Sequence, residues 1–113
     1  MQTKKEVETV VSTLALQIKT VLGNKLTSVI LFGSYARGDF EEGSDVDVMV
    51  LIDAPHDSIN DYWNDVADIA FELGWEHGLL ISPVIQSSEI FNKYKNASGF
   101  FKNVLVEGVS ISA

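Results

Sequence analysis

Near the N-terminus, apolar residues recur three and four positions apart: Val7, Val10, Val11, Leu14, Ile18, Val21 and Leu22. That period places them on one stripe of a helix over residues 4–22, with Gly23-Asn24 as its stop. The pattern then changes. "TSVILFG", residues 27–33, is a short β-branched apolar run and predicts a buried strand. "SYARGDFEEGS" is polar and reads as one helical turn followed by a loop. "DVDVMVLID", residues 45–53, alternates at first and then becomes apolar on both faces, as an interior strand does. After the loop "APHDS", a helix is expected to start at Asp57 or Ser58, with Ser58 and Asp61 spaced like a capping box. It should run to about Leu73, bury Ile59, Trp63, Val66, Ala70 and Leu73, and stop at Gly74. "LLISPVI", residues 79–85, predicts a third strand, and Pro83 demands an edge position or a bulge because it cannot donate to a ladder. "SSEIFNKYKN" and "FFKNVLVEG" predict two short helices, and "VSI" a last extended piece.

This order of elements predicts an α+β fold in which a small mixed β-sheet packs against helices. The chain has 113 residues, 46% of them hydrophobic. That is enough for one core, and with no repeat or linker visible, residues 1–113 are expected to form a single domain.

Sixteen acids against eight bases give a formal charge of −8. An acidic surface argues against direct nucleic-acid binding, which needs cations to neutralise phosphates. It leaves nucleotide binding open, because a triphosphate can be held by backbone N–H groups and a divalent cation. The absence of cysteine removes disulfides, thiolate nucleophiles and zinc–thiolate sites. No apolar signal core and no membrane-length apolar run is present, so a cytoplasmic protein without membrane contact is expected.

The chemistry concentrates between the first two strands. Asp45 and Asp47 are two apart on a strand, so both carboxylates should point to one side, with Val46 and Val48 pointing to the other. Two like charges about 6 Å apart repel by about 3 kcal/mol at an effective dielectric of about 20. A cation would offset that repulsion, and oxygen ligands with open positions suit Mg²⁺. Gly33-Ser34 closes the preceding strand. Glycine permits a sharp turn and close approach of a ligand, and a helical turn opening at Ser34 would offer N–H groups and a hydroxyl to an anion. Phosphates at Gly33-Ser34 bridged by Mg²⁺ to Asp45 and Asp47 would make a site for nucleotidyl transfer. Each piece alone is weak. "DVD" is often a solvated strand edge, and "RGD" reads here as a turn tripeptide.

Together the pieces are specific. Gly33-Ser34, ten intervening residues and Asp45-x-Asp47 resemble the signature of the polymerase-beta-like nucleotidyltransferase superfamily. "GSYARGD…SDVDVMVLID" is similar to its minimal nucleotidyltransferase (MNT) branch over roughly residues 20–111. The resemblance implies a mixed sheet flanked by helices, triphosphate contact at Gly33 and Ser34, and Mg²⁺ held by Asp45 and Asp47 as catalytic residues. Arg37 and Asp39 match frequent family positions. Arg37 could contact phosphate or simply pair with Asp39 or Glu41. The resemblance further implies a partner protein with a HEPN domain, in a toxin–antitoxin pair where the MNT member is the antitoxin and transfers AMP from ATP to that partner. A homo- or hetero-oligomer is consistent with this.

The sequence departs from the family pattern at one place. Active members commonly carry a third carboxylate on the next core strand, and the equivalent position here is near Ser82, with no acid anywhere in Leu79–Ile85. Glu76 could reach inward only from a loop. Two functions therefore stand beside each other: an adenylyltransferase, and a non-catalytic module that neutralises a HEPN ribonuclease by complexation. A small-molecule nucleotidyltransferase is a third, although such enzymes usually add a substrate domain. His56 reads as a solvent loop residue, His77 lies at a turn beside Gly78, two histidines 21 apart do not suggest a metal site, and Trp63 and Trp75 read as core or interface packing. Asp57, Asp61, Asp65, Asp68 and Glu72 form an acidic stripe. It is either a solvated face or, since like charges at this spacing destabilise a helix, a surface for a basic partner.

Overall fold

The computed structural model describes residues 2–111. Helix α1 is Lys4–Leu22, opened by a capping box in which the Thr3 hydroxyl accepts from the Glu6 N–H. Strand β1 is Leu26–Phe32, α2 is the single turn Ser34–Arg37, and β2 is Val46–Ile52. A 3₁₀ segment, His56–Tyr62, leads into α3, Trp63–His77. Strand β3 is Ile81–Ser87, followed by α4, Ser88–Tyr94, α5, Gly99–Glu107, and β4, Val109–Ile111.

The four strands lie in the order β3-β2-β1-β4. β1 pairs antiparallel with β2 and with β4, whereas β2 pairs parallel with β3, so the sheet is mixed as expected. β2 is interior and is buried on both faces from Val48 to Ile52. Its Val46, Val48, Val50 and Ile52 pack with α1 and α3, through residues such as Val11, Leu14, Ile18, Val66 and Leu73. Met49 and Leu51 point the other way and pack with Ile30, Phe91 of α4 and Val104 of α5. The sheet is thus the middle of three layers, and one period-two strand supplies both cores.

The helix expected from Asp57 to Leu73 differs at both ends. Its start is 3₁₀ because the Ser58 hydroxyl bonds back to the Pro55 carbonyl at 3.2 Å and does not cap Asp61. This alters the phase, and Trp63, expected inside, is 41% exposed. At the other end Gly74 does not stop the helix, which continues to His77 and closes on the left-handed Gly78. Gly74 serves packing instead. A Cβ there would meet the Leu79 carbonyl oxygen at 2.5 Å, where the chain doubles back toward β3. Val21, assigned to the buried stripe of α1, is exposed. The third strand begins two residues later than expected, but β3 is an edge strand, so Pro83 costs no ladder bond on its open side. No helix among the described residues is long and apolar enough to cross a membrane.

Candidate functional site

β1 ends at Phe32, the register partner of Asp47 on β2. The chain then turns at Gly33, whose φ of 76° is strained for any residue with a side chain. A Cβ at Gly33 would also overlap Asp47 Oδ2 and lie 3.2 Å from its Cγ. Glycine is therefore required twice, by conformation and by contact with the carboxylate. Beyond it, Tyr35 and Ala36 are buried, and the Tyr35 ring stacks on Phe40 with centroids 4.3 Å apart. This anchors the short α2 and leaves Ser34 and Arg37, three apart, on its outer side. Gly33 is the N-cap, so Ser34 is the first helical residue and not a cap.

Asp45 immediately precedes β2 and is exposed; Asp47 lies within it and is partly buried. The valines that flank Asp47, Val46 and Val48, are fully buried on the α1–α3 side. Strand alternation therefore puts Asp47 on the opposite side of the sheet, and Asp45, one residue before the strand, is near enough for its charge to act on Asp47. Burial raises the Asp47 pKa above the ordinary aspartate value, the negative charge of Asp45 raises it further, and Arg37 partly counteracts both. Asp47 thus feels the charges of both Asp45 and Arg37.

Arg37 donates from Nε to Asp39 Oδ2 at 3.2 Å and from Nη1 to Glu107 Oε2 at 3.5 Å. Its pKa is raised, chiefly by Asp39 and secondarily by Glu107. Of the two partners foreseen, Asp39 takes the bond and Glu41 does not. Glu107, at the end of α5 and seventy residues away, was invisible to local pattern. A cavity of about 210 Å³ lies there, lined by Gly33, Arg37, Asn103 and Glu107 together with Phe32 and Phe100. These two rings meet edge to face at 5.6 Å.

On the other side of β2, Asp47 is in register with Ser82 of β3. Adjacent register partners point to the same face, so Ser82 stands beside Asp47, at the position that the family resemblance and strand parity together indicated. No residue of Ile81–Ser87 is acidic. Glu76 is exposed on α3, and no group of three or more His, Cys, Asp or Glu among the described residues could hold a metal ion. The donor set at the site is thus one pair of carboxylates. It suits a hard cation such as Mg²⁺, which takes the rest of its shell from water and substrate phosphate, and does not suit a closed protein cage.

A family model described as "Nucleotidyltransferase domain" matches residues 12–107. Two proteins of Methanocaldococcus jannaschii are similar in sequence. "Putative protein adenylyltransferase MJ0604" is 38% identical over 91 residues, covering 80% of this chain and 83% of the relative. "Putative protein adenylyltransferase MJ0141" is 43% identical over 74 residues, covering 65% and 72%. Among solved structures, a mutant form of the toxin–antitoxin MntA–HpeT superimposes with a TM-score of 0.58 at 20% identity, covering 90% of this chain and 73% of that one. A toxin–antitoxin crystallised with AMP-PNP gives 0.58 at 22% identity with the same coverage. At such identities the structural likeness establishes the fold alone.

Proposed function

The chain belongs to the nucleotidyltransferase domain family, and from that premise we propose that it transfers AMP from ATP to a partner protein in the cytoplasm. In this reading it is the antitoxin of a toxin–antitoxin pair, and its partner carries a HEPN domain. The names of the sequence relatives support protein adenylylation. The toxin–antitoxin neighbours, one of them with AMP-PNP, are consistent with a nucleotide and a toxin as partners. The observation that carries the reading is the packing of Gly33 against the Asp47 carboxylate. It joins the Gly-Ser turn and the paired acids, which lie on different strands, into one locus.

Asp45 and Asp47 would hold Mg²⁺, which when bound supplies positive charge against the charge that develops on the reacting phosphate. Gly33 and Ser34 would receive the triphosphate, and Arg37 would reach it from the outer side of α2. In the reaction an acceptor oxygen forms a bond to the α-phosphorus, the bond to the bridging oxygen of the β-phosphate breaks, and pyrophosphate leaves. The acceptor proton passes to a protein or water base, β3 offering no carboxylate beside Asp47 to take it.

That last observation favours a second reading. In that reading the chain binds nucleotide and partner without turnover, and what favours it is that a serine, not an acid, is in register with Asp47. Incubation with the partner protein, Mg²⁺ and ATP labelled at the α- or the γ-phosphate separates the two. AMP transfer places label on protein from the α-position only; stable complex formation with no label from either position supports the binding module.

A further inference from the structure

Helix α3 has three stripes. Val66, Ala70 and Leu73 face the core. Trp63, Ala67, Phe71 and Trp75, four apart, form a second stripe, with Trp63 41%, Phe71 70% and Trp75 81% exposed. Asp65, Asp68, Glu72 and Glu76 form the third and are all exposed. At 100° per residue the aromatic stripe lies between the core and the acids. It runs beside β3 and, with Leu80 and Pro83, lines an apolar groove of about 360 Å³. Two tryptophans and a phenylalanine on one exposed ridge mark an interaction site more than scattered surface apolars do.

We infer that this groove docks a basic amphipathic helix of a partner protein, with the partner's apolar face in the groove and its lysines and arginines against the acidic rim. The charge pattern selects the occupant. Asp65 and Asp68, Asp68 and Glu72, and Glu72 and Glu76 are like charges three or four apart, a spacing that destabilises the helix unless cations intervene. The chain supplies none there: among the described residues the ion pairs are those of Arg37 with Asp39 and Glu107. A second copy would bring a second set of the same acids, and no cations, to an interface between two chains of charge −8 each. A helix with apolar residues four apart and flanking cations satisfies both the groove and the rim. The inference stands apart from the nucleotidyl-transfer reading and uses none of its residues.

The protein contains its own probe, because both of its tryptophans lie in the groove. The test titrates the full chain with two synthetic helical peptides that share leucines four apart and differ only in carrying lysine or glutamate at the flanking positions. The lysine peptide should shift tryptophan emission to the blue, more weakly as salt rises, and the glutamate peptide should not. Asp68→Lys/Glu72→Lys should reverse the preference, while Glu89→Lys on α4, which packs on the other face of the sheet, should leave it intact. Phe71→Ser should weaken the lysine peptide by about tenfold or more with an unchanged circular dichroism spectrum. If Phe71→Ser fails to fold, the charge reversal decides. Equal binding of both peptides, binding of neither, indifference to charge reversal on α3, or a dimer that Trp75→Ser dissociates would each overturn the proposal.

Discussion

Gly33 sits against the carboxylate of Asp47 so closely that no side chain fits between them. The contact spans two strands, since Gly33 follows β1 and Asp47 lies on β2. It makes the Gly-Ser turn and the acidic pair a single construction. Gly33→Ala should therefore cost about 1–3 kcal/mol in urea unfolding. In an Asp47→Ala background the same change should cost less, because the colliding oxygen is gone and only the φ strain remains. Equal costs in the two backgrounds would show that the two residues are not in contact.

Asp47 also sets a pH dependence. Burial and the charge of Asp45 raise its pKa above the ordinary 3.8, so the folded chain holds that proton more tightly than the unfolded one. The sign follows: this group adds stability below pH 3.8, and the addition is lost as pH rises through the raised value. Asp47→Asn stays neutral throughout. In chelator it should melt above the parent at neutral pH, and the difference should close below about pH 3.8. A variant less stable than the parent at neutral pH in chelator would contradict the burial assigned to Asp47.

Arg37 stands between two anions, Asp39 and Glu107, and the proposed triphosphate would be a third. Arg37→Ala should weaken ATP binding by about tenfold. Glu107→Gln should strengthen it, because it removes a competing partner and a like charge near the phosphates. The pairs are exposed, so neither change should alter the melting temperature much. Calorimetric titration with ATP and Mg²⁺ measures both. Weaker binding on Glu107→Gln would mean that Glu107 orients Arg37 and does not compete for it.

Ser82 faces the acids, in register with Asp47. Ser82→Asp should add a third carboxylate there, lower stability in chelator through added repulsion, recover it with Mg²⁺ and increase transfer. Equal destabilisation with and without Mg²⁺, and no gain in transfer, would remove Ser82 from the site.

Much of this was legible along the chain because it is encoded by short periods. Most of the α1 stripe, the three apolar strands and the side of the sheet on which Asp47 lies follow from periods of 3.6 or two, whereas the place of Ser82 beside Asp47 came from the family resemblance together with parity. The start of α3 was not, because a hydroxyl can bond back to Pro55 as readily as it can cap forward. Gly74 read as a stop when its small size serves the close return of Leu79. Trp63 fell on the apolar stripe of the expected helix and Trp75 fitted core or interface, yet both are exposed, because the 3₁₀ start shifts the phase of α3. Glu107 at Arg37 and Gly33 at Asp47 are contacts of the fold, which no local pattern announces.

The most direct measurement is the labelling of the partner protein from α-labelled ATP and Mg²⁺, by the parent chain and by Asp45→Asn/Asp47→Asn. The parent should transfer label. The double variant, folded and still bound to the partner, should transfer none, since both carboxylates of the site are neutralised. Equal labelling by the two would contradict the assignment of catalysis to Asp45 and Asp47.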